Sequence, residues 1–191
     1  VIEPIMALAW SKQNGTSPPN EDSTRAELDL GNLFALSRFA GDDRTETGLR
    51  AAAGASWTRT RANGTATTLS FGRVFRDVAS SGFTASSGLD GKNSDWLLSG
   101  QLTTPTGFYI EGRTLFDDDF AMTQATARMN WLRDDLRLSA AYIWQASDLA
   151  EDRLEAVSEW QFDTAVQVSE DWQVSFDSRY DVAAQRPDRA G

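Results

Sequence analysis

Acidic side chains recur at alternate positions toward the carboxy-terminal end of the chain. Carboxylates that face one another can act as general acid and base, as in glycoside hydrolases. The sequence holds no Gly-x-Ser-x-Gly nucleophile elbow and no His or Cys to complete such chemistry. We therefore favour a hydrated, charged wall that arginines partly neutralise. The residues concerned are Glu155, Glu159, Asp163, Asp177, Asp181, Arg137 and Arg179.

A run of acidic residues at 117–119 raises the question of a metal site. Asp117, Asp118 and Asp119 offer oxygen atoms of the kind that Ca²⁺ takes, usually about six to eight of them. Asp is also a common turn residue, because its side chain accepts hydrogen bonds from the backbone that follows. We interpret the triplet as a solvated turn and predict no metal and no cofactor.

Three arginines are the best candidates for contact with an anion. Arg38, Arg44 and Arg50 follow one another closely, and guanidinium groups bind phosphate in a bidentate way. The alternative, which we favour, is that these arginines hold a loop in place. Their partners would be the acidic residues Asp29, Asp43 and Glu46.

Composition excludes several functional classes. The net charge of −10, from 28 acidic and 18 basic residues, argues against nucleic-acid binding, which needs a basic surface. The absence of His and Cys removes thiol nucleophiles, imidazole bases, disulfides and most zinc sites. No run of about 18 apolar residues is present, so a transmembrane helix is not expected. We predict a protein that is not an enzyme.

Apolar and polar residues alternate with a period of two from Leu136 to Val182. Successive side chains of a strand point to opposite faces, so each of these strands has one apolar and one charged side. The pattern predicts an all-β fold, namely a segment of an antiparallel transmembrane β-barrel with lipid outside and a polar lumen inside. Our candidates for the lumen wall are the residues named above, Arg137, Glu155, Glu159, Asp163, Asp177 and Arg179.

About nine strands are expected, and most are long enough to cross a bilayer when tilted. Residues 1–191 are treated as part of one barrel domain, an interior fragment of a larger barrel, with a long inserted loop at 11–45 and a second loop at 77–94. Residues 186–189 are interpreted as loop. The expected strands are 2–10, 46–60, 65–76, 95–104, 107–116, 119–132, 136–147, 154–168 and 172–183.

Turn lengths and tryptophans both distinguish two ends of the sheet. Short turns, including a two-residue hairpin at Asn63-Gly64, alternate with longer loops, as in outer-membrane barrels. Tryptophans near both ends would form the aromatic girdles at the two membrane interfaces, although a β-sandwich core could also hold them. The girdle candidates are Trp57, Trp131 and Trp172 at the short-turn end, and Trp10, Trp96 and Trp144 at the other.

The 11–45 loop and the residues after it carry an unusual motif. It reads P-N-E-D-S, then N-L-F, then R-F-x-G-x-D-R-x-E-x-G. The motif residues are Pro19, Asn20, Glu21, Asp22, Ser23, Asn32, Leu33, Phe34, Arg38, Phe39, Gly41, Asp43, Arg44, Glu46 and Gly48. The stretch resembles the LPS-assembly outer-membrane protein family (LptD) in its alphaproteobacterial form. Beyond Arg50 only the strand-and-turn pattern agrees.

The resemblance implies a function in the bacterial outer membrane. Family members insert lipopolysaccharide (LPS) into the outer leaflet without catalysis. They work with a lipoprotein plug of the LptE type and a periplasmic bridge protein of the LptA type. This chain would be an interior part of the carboxy-terminal half of the barrel, with the motif loop tucked into or over the lumen. Family members also carry cysteines for disulfides, which this chain lacks.

Two other functions fit the same strands. A passive porin or a ligand-gated importer would share the barrel but conduct small solutes. A soluble β-sandwich that binds carbohydrate would bury its aromatic residues beneath a second sheet and would stay monomeric in plain buffer.

Overall fold

The structure is a computed structural model that describes residues 1–12, 26–39, 44–80, 82–182 and 186–190, the last five as backbone only. Eleven antiparallel strands form a single sheet. Two short 3₁₀ helices, Ala85–Ser87 and Leu149–Glu151, lie in connections. The strands are β1 (Ile2–Ser11), β2 (Gly48–Thr60), β3 (Ala66–Ser80), β4 (Gly91–Asn93), β5 (Trp96–Thr103), β6 (Phe108–Phe116), β7 (Met122–Leu132), β8 (Leu136–Gln145), β9 (Val157–Gln167), β10 (Gln173–Asp181) and β11 (Arg186–Ala190).

Strands lie in the sheet in the order in which they occur in the chain, apart from the short β4, which pairs with β3. Each long strand forms a hairpin with the next, and β3 pairs directly with β5. Within the described ranges, β1 and β11 lie at opposite edges and the sheet is open. The predicted all-β antiparallel fold is therefore confirmed, and the open sheet is consistent with a segment of a larger barrel.

The register of the strands sorts the side chains onto two faces. Arg113 of β6 lies opposite Ser99 of β5 and Thr126 of β7, and this row of polar side chains continues across the sheet. The other face carries aromatic and aliphatic residues, such as Phe162 of β9 opposite Ala140 of β8. We call these the polar face and the apolar face. Arg73 is an exception, because its position falls on the apolar face near Trp96.

The β1–β2, β3–β5 and β8–β9 connections are the long ones and lie at one end of the sheet, and the short β2–β3, β5–β6, β7–β8 and β9–β10 turns lie at the other, whereas the short β6–β7 turn lies at the long-loop end. The β2–β3 connection differs in detail from the two-residue hairpin expected at Asn63-Gly64. Arg61 and Thr65 are hydrogen-bonded across it, which leaves a loop of Ala62, Asn63 and Gly64 between them. Gly64 has a φ of +82°, whereas Asn63 is not in the left-handed region. The turn is therefore a three-residue loop with glycine at its left-handed position.

Several predicted boundaries need correction. Strand β3 extends to Ser80, and β4 lies inside the expected 77–94 loop. Residues 186–190 form β11, which pairs with β10, so the interpretation of 186–189 as loop was wrong. Glu155 precedes β9, which begins at Val157, and so does not lie on a strand. The Ser-rich and Gly-rich composition of 79–91 concealed the pairing of β4, and Pro187 with its charged neighbours concealed that of β11.

The aromatic side chains of the apolar face lie at the surface of the sheet. Phe162 is 40% exposed and Phe176 is 53% exposed. In the described part of the chain every strand belongs to one sheet, so no second sheet covers these residues as a β-sandwich would require. No helix in the described ranges is long and apolar enough to cross a membrane.

Candidate functional site

A patch of apolar side chains interrupts the polar face near the long-loop end. Ala52 of β2 pairs with Val74 of β3, and Leu97 of β5 pairs with Leu115 of β6. All four residues are at most 3% exposed. Because each lies on the face that is otherwise hydrophilic, the patch needs a cover from elsewhere in the chain.

Two loops provide that cover. The first, which we call the strap, comprises residues 26–39 and 44–47 from the β1–β2 connection. The second comprises residues 82–95. Leu28 and Leu33 of the strap, with Phe83 and Leu89 of the second loop, are at most 6% exposed and pack with the patch in one core. Burying a large apolar side chain contributes about 1.5–3 kcal/mol, so Leu28 and Leu33 bind the strap firmly to the sheet, and Phe83 and Leu89 bind the second loop.

A tight turn in the strap directs its apolar residues toward the sheet. The Asn32 amide donates to the Asp29 carboxylate at 2.8 Å, and the Asp29 amide donates to the Asn32 side-chain oxygen at 3.0 Å. The Leu33 amide donates to the Asp29 carbonyl at 2.9 Å and completes the turn. The N-L-F motif therefore has a structural reason, because Asn32 closes the turn that places Leu33 in the core.

Two glycines allow the strap to approach the sheet backbone. Gly54 of β2 lies directly opposite Gly72 of β3. A Cβ atom on Gly72 would lie 2.5 Å from the Leu33 side chain, and one on Gly54 would lie 3.2 Å from the Phe34 ring. Leu33 and Phe34 therefore occupy the space that larger residues at these two positions would fill.

A buried ionic cluster fixes the end of the strap. The Arg38 guanidinium donates to Glu46 Oε1 at 2.9 Å, and Arg76 Nε of β3 donates to Glu46 Oε2 at 2.7 Å. The side chains are at most 2% exposed. Burial alone would raise the pKa of Glu46, but the hydrogen bonds and charges of Arg76 and Arg38 outweigh burial and lower it. Glu46 therefore stays ionised at neutral pH.

Arg50 of β2 binds the strap through carbonyl oxygens. Its Nη1 donates to the Glu46 carbonyl at 2.6 Å and to Ser11 Oγ at 3.0 Å, and its Nη2 donates to the Leu36 carbonyl at 3.0 Å. The interpretation of the arginines as loop anchors thus fits Arg38 and Arg50. Of the acidic residues predicted as their partners, Glu46 forms an ion pair with Arg38, whereas Asp29 closes the strap turn. Asp43 lies outside the described residues.

Two guanidinium groups and two rings form a stack beside this cluster. Phe39 of the strap stacks on Phe83 of the second loop at a centroid distance of 4.4 Å. The Arg44 guanidinium lies 4.6 Å from the Phe39 centroid, and that of Arg76 lies 5.8 Å from the Phe83 centroid. Cation–π contacts of this kind hold the guanidinium groups in defined positions.

The tip of the strap contacts strand β6. Arg113 donates to the Leu28 carbonyl at 3.0 Å and forms an ion pair with Glu27 at 2.7 Å. Beyond this contact, a cavity of about 580 Å³ lies between strap residues 29–31 and strands β6–β8. The strap therefore covers the polar face over β2–β6 and leaves space where it reaches the next strands.

Most of the proposed lumen-wall residues lie on the polar face of β8–β10. Asp163 of β9 lies opposite Asp177 of β10 in the strand register. Arg179 Nε donates to Glu159 at 2.9 Å. Arg137 of β8 lies at the same face near the short-turn end. Glu155, in contrast, lies in the connection before β9. The carboxylates are spread along two strands and are interleaved with polar and basic residues.

The acidic triplet at 117–119 forms a turn. Asp117 accepts hydrogen bonds from the amides of Asp119 and Ala121 at 2.9 and 2.8 Å, and Asp118 forms an ion pair with Arg73. Across residues 1–12, 26–39, 44–80 and 82–182, no group of three acidic, His or Cys side chains is arranged to hold a metal.

Five of the six tryptophans proposed as a girdle lie on the apolar face of their strands. Trp10, Trp96 and Trp144 are near the long-loop end of β1, β5 and β8. Trp57 and Trp131 are near the short-turn end, and Trp172 lies in the turn before β10. Whether lipid surrounds them stays a prediction.

The sequence reasoning missed several residues of the site. Arg76, Phe83 and Leu89 were not identified, although Val74, Leu97 and Leu115 carried a usable signal. Strands β3, β5 and β6 have apolar residues on both faces near the long-loop end, which is not expected of a strand with one polar face. Of the motif residues, Pro19 to Ser23, Gly41 and Asp43 lie outside the described part of the chain.

Comparison with known proteins gives one family. The family model LptD, described as LPS transport system D, matches residues 1–172. No curated protein matches the chain. The match covers the strap, the buried ionic cluster and strands β1 to β9, and the motif that suggested the same family lies inside it. The chain therefore belongs to the LptD family, whose members transport LPS to the outer membrane.

Proposed function

We propose that the chain is part of an outer-membrane translocon that inserts LPS into the outer leaflet and performs no chemistry. Residues 1–191 would be part of one barrel domain. The observation that carries the proposal is a single sheet with one polar and one exposed apolar face, in a chain of an LPS transport family. A sheet with these faces suits a wall between lipid and water.

The apolar face would contact acyl chains. Phe71, Phe162 and Phe176 are exposed by 52%, 40% and 53%, and in water such a continuous surface would favour aggregation. The tryptophans near the two ends of the strands would lie at the membrane interfaces, where amphipathic rings are favoured. Trp10, Trp57, Trp96, Trp131, Trp144 and Trp172 are the girdle residues of this proposal.

The polar face would line the lumen, and the strap would narrow it. Charged residues of β8–β10 would offer a hydrophilic route, since Arg137, Glu159, Asp163, Asp177 and Arg179 share that face. The strap would act as a gate element fixed to the wall of β2–β6.

Partners and location follow from the family in this proposal. The protein would reside in the bacterial outer membrane, receive LPS from a periplasmic bridge protein of the LptA type, and work with a lipoprotein plug of the LptE type. Energy for transport would come from elsewhere in the transport system.

Depletion of the full-length protein tests the function. LPS should accumulate inside the cell envelope and disappear from the cell surface, and re-expression of the wild-type protein should restore it. Normal surface LPS after depletion would overturn the proposal. The porin alternative would instead give steady conductance of small solutes in planar bilayers together with normal surface LPS in depleted cells.

A further inference from the structure

A small cavity lies between the strap and the end of strand β3. Its volume is about 230 Å³, and its walls include Phe39, Arg44, Glu46, Arg76 and Gly82. The exposed residues Thr45 and Thr47 also line it, so the cavity opens to solvent. It is separate from the 580 Å³ cavity at the tip of the strap.

Arg76 brings unpaired donors to this cavity. Its Nε donates to Glu46, whereas Nη1 and Nη2 are buried and have no hydrogen-bond partner among the described residues. The side chain is only 1% exposed. Buried donors without acceptors are costly, and those of a charged group more so than most. An acceptor that enters the cavity would remove that cost.

The charge balance around Arg76 also favours an anion. Arg38, Arg50 and Arg76 are buried together, and Glu46 is the one buried acid among the described residues near them. Both carboxylate oxygens of Glu46 already accept hydrogen bonds from Arg38 and Arg76. The cluster therefore keeps excess positive charge, which carbonyl oxygens around Arg50 offset only in part.

Arg44 provides a second cation at the same cavity. Its guanidinium is held against the Phe39 ring, and a Cβ atom on Gly82 would lie 2.7 Å from Arg44 Nη2. The absence of a side chain at Gly82 thus leaves room for Arg44 there. The hydroxyl groups of Thr45, Thr47 and Ser80 add neutral donors around the opening.

We propose that this cavity binds a phosphate group. Phosphate has enough oxygens to accept from both free nitrogens of Arg76 and from Arg44 together, and guanidinium groups favour such bidentate contacts. A planar carboxylate can pair bidentately with one guanidinium group, whereas a tetrahedral phosphate also presents oxygens in other directions for the second. If the proposed transport function holds, on which this further step rests, the phosphate belongs to the phosphorylated glycolipid that the protein carries.

The test compares two variants of the full-length protein in detergent micelles. Arg76→Lys keeps the charge and a donor for Glu46 but removes the two unpaired Nη groups, and Arg44→Gln removes the second cation. Arg128→Gln is the matched control, because Arg128 lies on the polar face outside this cavity and its side chain is 65% exposed. The probes are inorganic phosphate, a bis-phosphorylated diglucosamine lipid and its dephosphorylated counterpart.

We expect each of the two variants to weaken phosphate binding by about tenfold or more, as measured by calorimetry, because a charge-assisted hydrogen bond is lost. Arg128→Gln should bind like the wild type. If the variants also weaken binding of the phosphorylated lipid and leave binding of the dephosphorylated lipid unchanged, the lipid phosphate is the ligand. If only inorganic phosphate responds, the site takes free phosphate.

Equal affinity of the wild type, Arg76→Lys and Arg44→Gln for both phosphate-bearing probes would overturn the proposal. Arg44→Gln keeps the test valid if Arg76→Lys disturbs the strap, because Arg44 makes no contact with Glu46 among those described. Failure here is distinct from failure of the transport function. If the cavity binds no phosphate, depletion can still trap LPS inside the cell envelope, and only the phosphate proposal fails. If depletion leaves surface LPS unchanged, the cavity can still bind inorganic phosphate, and only the transport proposal fails.

Discussion

Glu46 of the strap and Arg76 of strand β3 form a buried ion pair, with 2.7 Å between Oε2 and Nε. The two residues are 30 positions apart, and the pair joins the β1–β2 connection to the wall of the sheet. Because Glu46 also accepts from the backbone amide and the side chain of Arg38, it folds the strap and fastens it at the same time.

Replacing Glu46 with Gln should release the strap. The substitution keeps the shape of the side chain but leaves Arg38 and Arg76 buried without a counter-charge, and breaking a buried pair costs about 3–5 kcal/mol. Amide hydrogen exchange at Leu33, whose amide donates to the Asp29 carbonyl, should become faster by a matching factor. Glu111→Gln is the control, since the pair of Glu111 with Arg128 is exposed and is expected to contribute about 1 kcal/mol or less. Equal exchange in both variants would show that the pair does not hold the strap.

Acidification should loosen the strap only below the ordinary range of a glutamate. The neighbouring arginines lower the pKa of Glu46 in the folded protein from its usual 4.5, in spite of burial. A carboxylate with a lowered folded pKa stabilises the fold above its unfolded pKa, and the effect is lost as the pH falls through the folded pKa. The difference in Leu33 exchange between wild type and Glu46→Gln should be constant above about pH 5 and shrink at lower pH. A difference that disappears between pH 5 and 7 would contradict this assignment.

Leu33 and Leu36 of the strap provide a matched pair for the apolar core. Leu33 is fully buried, whereas Leu36 is 73% exposed. Leu33→Ala should lower the free energy of unfolding by about 2–5 kcal/mol, because it leaves a cavity above Gly72. Leu36→Ala should change it by about 0.5 kcal/mol or less. Urea unfolding in lipid vesicles measures both, and similar midpoints for the two variants would show that the strap is not packed on the sheet.

A charge introduced on each face distinguishes lipid from water. Phe162 lies on the apolar face of β9, and its neighbour Gln161 lies on the polar face. Phe162→Arg should cost about 2–4 kcal/mol if acyl chains surround it, while Gln161→Arg should have little effect. The yield of folded full-length protein in the outer membrane measures the difference. Equal yields from the two variants would mean that the apolar face does not meet lipid.

The alternation of residues predicted much of the fold because it depends on local geometry alone. On β8, β9 and β10 the polarity of each residue indicates the face on which it lies, and the register places residues of the same face side by side. The long strands therefore lie close to their predicted positions. Strand β11 was not predicted, since Pro187 and its charged neighbours resemble a loop and only the pairing with β10 makes them a strand.

The candidate site was only partly predictable, because its contacts join segments far apart in the sequence. The motif pointed to Arg38, Phe39, Arg44 and Glu46, which do lie together. It gave no sign of Arg76 or of the second loop that carries Phe83, because neither belongs to the motif and each meets it only through the fold. Long-range pairs of this kind leave no periodic trace in one sequence.

The described residues of the strap cover one side of the sheet. Leu28, Leu33 and their neighbours cover strands β2–β6, and the cavity of about 580 Å³ opens where the tip of the strap reaches β6–β8. If LPS passes this segment, as proposed, its carbohydrate would therefore find the lumen narrowed on the side of the strap. We expect this carbohydrate to contact the carboxy-terminal strands, and the strands beneath the strap to form the immobile wall opposite them.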